Sequence, residues 1–149
     1  NRQKAAEKLA TLLDDLKGLR MPDTMPDCTH SYYMFPMVLD VELIGISRDR
    51  IIEALTAEGV IGLTAGYVNV HLLPMYQQKI AYGSNGFPWT SDICKREVDY
   101  GEGICPVAEE LHRSTYMGLS ACMHEMSDMD VVQIADAFLK VWKNLDSLR

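Results

Sequence analysis

The chain has 149 residues, of which 48% are hydrophobic and 23% are charged, and this composition excludes a disordered chain. Its formal net charge of −7 and pI near 5.0 argue against nucleic-acid or anionic-membrane partners, because both favour a basic surface. No two of the four cysteines form a Cys-x-x-Cys pair, which favours free thiols over a disulfide framework: Cys28, Cys94, Cys105 and Cys122.

No apolar run approaches the roughly 20 residues that a membrane-spanning helix needs, and no signal-peptide core lies near Asn1. These patterns predict a cytoplasmic protein without a membrane partner. Because the sequence passes from Asn1 directly into a helical pattern with no initiating Met, we expect it to be a piece of a longer protein.

A stripe of apolar residues predicts an opening amphipathic helix within residues 1–20, which Gly18 and Pro22 are expected to end. The stripe consists of Ala5, Leu9, Leu12, Leu13 and Leu16. Residues 31–40 are rich in aromatic and branched side chains and predict a strand, in which Pro36 indicates an edge position or a bulge.

A second helix is predicted between Ser47 at its N-cap and Gly59 just beyond its end. It leads into a short buried strand that we expect to contain Val60, Ile61 and Leu63. A strand, a helix and a second strand in this order suggest a crossover unit, although the sequence leaves the strand directions open.

The second half of the chain begins with residues 77–103, which have no sustained period and predict a long irregular loop of the kind that is functional, partner-binding or mobile. Pro106 indicates the first residue of a helix, residues 117–123 are a strand candidate, and Ser127 begins a long last helix with a capping box. We therefore predict one α+β domain over residues 1–149, with a small, mainly antiparallel or mixed sheet packed against helices and with long first and last helices.

The best candidate binding residues are Tyr67, His71 and Tyr76, which fall within ten residues and are separated by apolar side chains that could anchor the backbone. The functional interpretation is substrate recognition or proton handling from a loop. The alternative, which the residue types alone favour, is a histidine and two tyrosines satisfied by local backbone groups.

We predict no metal site, because the soft ligands in the last third of the chain match none of the short paired spacings of structural zinc. These ligands are Cys94, Cys105, His112, Cys122 and His124. Cys105 precedes a predicted helix start, a position that can activate a thiol, but the sequence places no base beside it and an N-cap role explains it. For the segment of residues 83–86, a turn is likewise preferred over a phosphate-binding loop.

Three blocks, taken in order, resemble the C-terminal region of the DegT/DnrJ/StrS family of pyridoxal-phosphate-dependent sugar aminotransferases. Residues 55–76 match the family's helix, Gly-Val turn and aromatic, His and Pro-x-Tyr pattern: Tyr67, His71, Pro74 and Tyr76. The second block is Cys-Pro-Val-Ala-Glu-Glu-Leu at residues 105–111, and the third is the apolar strand ending at His124 with the helix that follows. The helix of residues 1–20 is similar to the one that links the family's two domains.

The resemblance implies that the chain is the C-terminal small domain of a longer fold-type I aminotransferase. It implies pyridoxal phosphate as the cofactor, bound mainly by an N-terminal domain with the Schiff-base lysine, so that this chain holds no catalytic residue and is inactive alone. The whole enzyme would be a homodimer that moves an amino group from a glutamate or glutamine donor to a nucleotide-linked keto sugar, and Tyr67, His71 and Tyr76 would bind that sugar substrate.

The alternative to an aminotransferase is a free-standing α+β binding or interaction domain with no catalysis. The coding sequence upstream of Asn1 distinguishes the two, because an enzyme needs an upstream domain with the cofactor's lysine and a free-standing module needs a start codon there.

Overall fold

The computed structural model describes residues 1–83 and 85–149, apart from the side chain of Met123. Ser84, which belongs to the predicted loop of residues 77–103 and to the predicted turn of residues 83–86, lies outside the described residues. The chain divides into two compact units, which we call the sheet unit (Asn1–Gly66 and Ser114–Arg149) and the loop unit (Tyr67–Arg113).

The α-helices of the described part of the chain are α1 (Arg2–Leu13), α2 (Val41–Ile44), α3 (Arg48–Ala57), α4 (Pro74–Gln77), α5 (Pro106–Glu110) and α6 (Asp128–Lys143). The strands are β1 (Leu19–Arg20), β2 (Phe35–Leu39), β3 (Leu63–Thr64) and β4 (Tyr116–Leu119). All four strands belong to one antiparallel sheet with the order β1-β2-β4-β3. This architecture confirms the predicted α+β class with a small antiparallel sheet.

The core of the sheet unit lies between one face of the sheet and its helices. Phe35, Met37 and Leu39 alternate along β2 with half-buried residues, and all three side chains are buried. Helix α1 packs against α6, which also contacts α3. The helices contribute fully buried side chains to the same core, including Leu9, Leu13, Ile51, Leu55 and Phe138.

The strand directions, which the sequence left open, follow from the pairing. Strands β2 and β3 are each antiparallel to β4, so they run parallel to each other with β4 between them and with α3 in their connection. Pro36 pairs with Gly118 of β4, whereas β1 reaches β2 only as far as Val38. Because Pro36 has a strand neighbour on one side only, its missing N–H removes no ladder hydrogen bond on the other side, as expected for an edge position.

The first helix is shorter than the predicted segment of residues 1–20. It ends at Leu13, after which the N–H groups of Leu16 and Leu19 donate to carbonyls only three residues back. Gly18 then adopts a φ of 80°, and Leu19 pairs with Leu39 as part of β1. Leu16 and Leu19 are still buried, so the apolar stripe continues through a turn and a strand instead of a helix.

The caps of α3 and α6 are as predicted. The Ser47 side chain accepts a hydrogen bond from the Arg50 N–H, and Gly59 follows the helix with a φ of 94°. At α6, Ser127 and Asp130 form a reciprocal capping box. The hydrogen bonds from the Ser127 hydroxyl and backbone N–H lower the pKa of Asp130, against the opposing effect of burial.

The strand predicted at Val60, Ile61 and Leu63 begins later than expected. Val60 is buried, but Ile61 is 79% exposed and β3 starts only at Leu63. Gly62 causes the shift, because its φ of 79° turns the backbone and its carbonyl accepts hydrogen bonds from both the N–H and the hydroxyl of Ser120. Val60 and Ile61 therefore lie before the strand instead of within it.

The loop unit contains α4 and α5, with turns and an isolated bridge between Tyr82 and Phe87 in the segment that joins them. Pro106 is the first residue of α5, as predicted, and a π-helical turn over Leu111–Thr115 continues the helix toward β4. No helix in the described part of the chain is long and apolar enough to cross a membrane.

Candidate functional site

All three predicted binding residues lie in the loop unit. Tyr67 precedes the first helical turn and is 59% exposed. His71 lies in a 3-10 turn over Val70–Leu72, and Tyr76 lies in α4. Pro74 is the first residue of α4, where its missing N–H removes no helical hydrogen bond. Only Leu73 separates the 3-10 turn from this helix.

His71 is paired with a carboxylate of α5. Its Nε2 lies 2.9 Å from Oε1 of Glu109, and the side chains of the two residues are only 11% and 6% exposed. A buried charge is costly unless it is paired and hydrogen-bonded. The pair therefore ties the 3-10 turn of His71 to a helix that lies 38 residues farther along the chain.

The same carboxylate holds the glycine-containing segment before α5. The N–H of Gly103 lies 2.9 Å from Oε1 and 2.8 Å from Oε2 of Glu109, and the N–H of Cys105 lies 3.2 Å from Oε1. Gly103 has a φ of 96°, which a residue with a side chain rarely adopts. Two backbone N–H groups and one imidazole nitrogen thus meet at the Glu109 carboxylate, and we call Glu109, His71, Gly103 and Cys105 the Glu109 cluster.

The Glu109 cluster sets the ionisation of its carboxylate. Burial raises the pKa of Glu109, but the hydrogen bonds from the Gly103 and Cys105 N–H groups and the interaction with His71 together outweigh it, so the pKa lies below its ordinary value. Glu109 is therefore ionised at neutral pH and can only accept hydrogen bonds.

Tyr76 belongs to an aromatic cluster with Trp89 and Tyr100. Its ring centroid lies 6.2 Å from Trp89 in an edge-on arrangement and 5.2 Å from Tyr100. Trp89 also meets Tyr100 edge-on, and its indole Nε1 donates a hydrogen bond of 3.1 Å to the Tyr100 hydroxyl. Trp89 and Tyr100 of the segment of residues 77–103 are thus packed against Tyr76, in part with the edge-to-face geometry that aromatic pairs prefer.

Gln77 connects the aromatic cluster to the segment that carries His71. Its side-chain Nε2 donates to the backbone carbonyl of His71 at 2.7 Å and also to the carbonyl of Tyr100. The backbone carbonyl of the histidine is therefore held by a side chain from α4, while the imidazole is held by a side chain from α5. His71 is fixed at both its main chain and its ring.

The structure divides the three predicted residues among different partners. His71 contacts Glu109, and Tyr76 packs on Trp89 and Tyr100. The alternative, in which local backbone groups satisfy His71, does not hold for Nε2, because this atom contacts the side chain of Glu109. In the sequence, Glu109 appears only within the family-like block of residues 105–111, and the signal that could have singled it out is its place six residues after Gly103.

The thiols and the ionisable side chains of the described residues form no disulfide and no metal-binding group. All four cysteines are free, and burial raises the pKa of the one buried thiol, Cys122. Within the described residues, no three His, Cys, Asp or Glu side chains are grouped closely enough to hold a metal ion.

A cavity of about 760 Å³ lies in the sheet unit, between the end of α3, the turn at Gly62 and the face of α6. Its lining includes Glu58, Ile61, His124 and Asp130. It contains none of the three predicted binding residues.

Comparison with known proteins gives consistent matches. A sequence model of the DegT/DnrJ/EryC1/StrS aminotransferase family matches residues 1–137. The spore coat polysaccharide biosynthesis protein SpsC of Bacillus subtilis is 28% identical over 97 residues, which are 65% of this chain and 25% of SpsC. The protein MJ1066 of Methanocaldococcus jannaschii is 25% identical over 143 residues, which are 93% of this chain and 32% of MJ1066.

Two solved structures share the fold. The structure of S. venezuelae DesV in complex with a ketimine intermediate aligns with a TM-score of 0.67 and 24% identity, over 95% of this chain and 31% of DesV. The aminotransferase TlmJ from Streptoalloteichus hindustanus aligns with a TM-score of 0.60 and 25% identity, over 99% of this chain and 31% of TlmJ. The chain spans between about a quarter and a third of the length of the relatives that it matches.

Proposed function

Because the chain belongs to the DegT/DnrJ/EryC1/StrS aminotransferase family, we propose that it is the C-terminal small domain of an enzyme that transfers an amino group from glutamate or glutamine to a nucleotide-linked keto sugar. The family match over residues 1–137 carries this proposal, since it includes the whole loop unit and most of the sheet unit. The similarity to SpsC, a protein of spore coat polysaccharide biosynthesis, supports a sugar substrate. The proposed enzyme is a cytoplasmic homodimer.

The lysines of this chain do not fit the role of holding pyridoxal phosphate, the cofactor that the family implies. The cofactor supplies an electron sink for amino transfer, and the lysine that binds it covalently is activated in a desolvated site. None of the seven lysines, all of which are described, is buried. Lys8 and Lys140 instead pair with Asp128 and Glu58 at the surface. We therefore propose that the cofactor is held mainly by another part of the enzyme.

The proposed contribution of this chain is substrate recognition by the loop unit. His71 is the main candidate, because its imidazole is held through Nε2 by Glu109 and its backbone carbonyl is held by Gln77. Tyr67 lies four residues before His71 and is 59% exposed, while Tyr76 supports the segment by packing on Trp89 and Tyr100. Such preorganised side chains lower the entropic cost of binding a flexible polar ligand.

The proposal is tested by separating the two half-reactions in the full-length protein. Glutamate or glutamine alone is expected to change the absorbance of the bound cofactor, and a nucleotide-linked keto sugar added afterwards is expected to reverse that change. The isolated 149-residue chain is expected to show neither change. A full-length protein with no bound cofactor and no response to amino donors would support the alternative, a non-catalytic binding domain.

A further inference from the structure

We infer that Glu109 is a positioning residue, which fixes the imidazole of His71 with Nε2 donating and leaves Nδ1 to bind a hydroxyl group of the sugar substrate. The identity of the ligand rests on the proposed function. The arrangement of the two side chains does not, and it is testable in the chain by itself.

The first step is the direction of the hydrogen bond between His71 and Glu109. Two backbone N–H groups, those of Gly103 and Cys105, already point at the carboxylate, and a backbone N–H can only donate. A carboxylate surrounded by donors acts as the acceptor for all of them. The hydrogen between His71 Nε2 and Glu109 Oε1, which lie 2.9 Å apart, therefore belongs to the imidazole.

The second step is that the imidazole has little freedom to choose another orientation. The side chain of His71 is 11% exposed and that of Glu109 is 6% exposed, so water competes weakly for either group. Rotating the ring would leave a buried carboxylate with one donor fewer, and leaving a buried polar group unsatisfied is costly. Glu109 thereby determines which nitrogen faces which partner.

The third step concerns the nitrogen that remains. His71 Nδ1 has no hydrogen-bond partner among the residues that the structure describes. With Nε2 donating, Nδ1 accepts a hydrogen bond in the neutral imidazole and donates one in the imidazolium ion. A hydroxyl group can both donate and accept, so it fits Nδ1 in either state, and the orientation set by Glu109 suits a hydroxyl-bearing ligand such as a sugar.

The arrangement is tested first in the chain alone by NMR of histidine labelled with ¹⁵N. An Nε2-bound proton of His71 that is protected from exchange is expected in the wild type and is expected to disappear in Glu109→Met, which has similar length but accepts no comparable hydrogen bond. Glu97→Gln removes an exposed carboxylate of the same unit and is expected to leave the signal unchanged. A wild type without a protected Nε2 proton overturns the inference, even if Glu109→Met fails to fold.

The positioning role is tested by a double-mutant cycle in the full-length enzyme. Glu109→Met and His71→Gln are each expected to raise the sugar KM by roughly 2- to 13-fold, the equivalent of one hydrogen bond. The double variant is expected to match His71→Gln, because Glu109 acts through His71. Glu109→Gln, which keeps an acceptor oxygen, is expected to retain most of the wild-type KM.

The results separate this inference from the proposed function. Additive effects of Glu109→Met and His71→Gln on KM would give Glu109 a purely structural role and overturn the inference. A full-length protein that does not act on keto sugars would defeat the proposed function, and the protected Nε2 proton would then decide the arrangement of His71 and Glu109 alone.

Discussion

His71 Nε2 lies 2.9 Å from Glu109 Oε1, although the two residues are 38 positions apart in the sequence. Glu109 also accepts hydrogen bonds from the N–H groups of Gly103 and Cys105. One carboxylate thus joins the 3-10 turn of His71, the segment before α5 and α5 itself, all within the loop unit. Changes at Glu109 are therefore expected to affect three segments together.

Acidification is expected to release the Glu109 cluster. Because the folded-state pKa of Glu109 is below the ordinary 4.5, its stabilising effect is full above that value and is lost as the pH falls through the lower folded-state pKa. Hydrogen exchange at the Gly103 and Cys105 N–H groups, measured from about pH 6 to about pH 3, is expected to show protection that decreases at the acidic end.

Two variants show whether Glu109 is the group whose protonation causes this loss of protection. Glu109→Gln has no ionisable group at this position and is expected to show no acid-dependent loss of protection at Gly103 and Cys105. Among the described residues, His71 is the titratable side chain hydrogen-bonded to Glu109, and His71→Gln is expected to retain the acid-dependent step. Identical acid profiles for wild type and Glu109→Gln would show that another group controls the segment.

Arg48 is expected to be a major contributor to the stability of the sheet unit. It is 7% exposed, and its Nη1 donates to the carbonyls of Ala65 at 3.0 Å and Tyr116 at 3.4 Å. Arg48→Met leaves those carbonyls without a charged donor and is expected to lower the free energy of unfolding by about 1–3 kcal/mol. Urea denaturation measures the change.

Arg50→Met is the matched control for Arg48, because Arg50 lies on the same helix but pairs with Glu53 at the surface. Exposed ion pairs contribute little, so this change is expected to alter the free energy of unfolding by less than about 1 kcal/mol. Equal losses in the two variants would refute the assigned role of Arg48.

The capping box at α6 gives a third prediction. Ser127→Ala removes the side chain that accepts from the Asp130 N–H and is expected to cost about 0.5–2 kcal/mol of stability, seen as a lower melting temperature. Ser31→Ala, at an exposed position outside the helices and strands, serves as the control. If both variants melt at the wild-type temperature, the cap does not limit stability.

The elements that were predicted correctly depend on nearby residues, and the errors involve distant ones. Ser47 and Ser127 define helix starts through bonds to residues three positions away, which a sequence pattern displays directly. The start of β3 depends instead on Ser120, which bonds the Gly62 carbonyl from 58 positions away. No local periodicity encodes that contact, so Ile61 was wrongly placed in a strand.

The candidate site shows the same difference between local contacts, which the sequence predicts, and distant contacts, which it does not. The cluster of His71 with two tyrosines was visible because the three residues are close in sequence. The partner that holds the imidazole was not, since Glu109 also looks like an ordinary acidic residue in the first turn of a helix. The assignment of His71 to substrate binding stays a prediction.

The lysines, none of which is buried, give a fourth prediction, for this chain without the rest of the proposed enzyme. Mixing it with pyridoxal phosphate and then reducing with borohydride is expected to yield no stoichiometric adduct at one defined lysine, because none of the seven lies in a desolvated site. Peptide mass mapping identifies any modified position. A single lysine modified stoichiometrically would contradict the view that another part of the enzyme holds the cofactor.

The last prediction concerns the role of His71 in the proposed full-length enzyme. Loss of one hydrogen bond to the sugar is worth about 0.5–1.5 kcal/mol, so His71→Ala is expected to raise the sugar KM by roughly 2- to 13-fold. The cofactor absorbance and the amino-donor half-reaction are expected to stay nearly unchanged, because the cofactor is held mainly by another part of the proposed enzyme.

His71→Ala also deprives Glu109 of a donor, so part of its effect is structural. His71→Gln keeps an N–H donor for Glu109 and is expected to preserve the melting temperature while still raising the sugar KM, whereas His124→Gln, an exposed site in the sheet unit, is expected to change neither. Melting temperatures and both half-reactions, measured on the same three variants, separate recognition from stability. A lower melting temperature in His71→Ala, with a wild-type sugar KM in both His71 variants, would remove His71 from the binding site and leave it as a structural partner of Glu109.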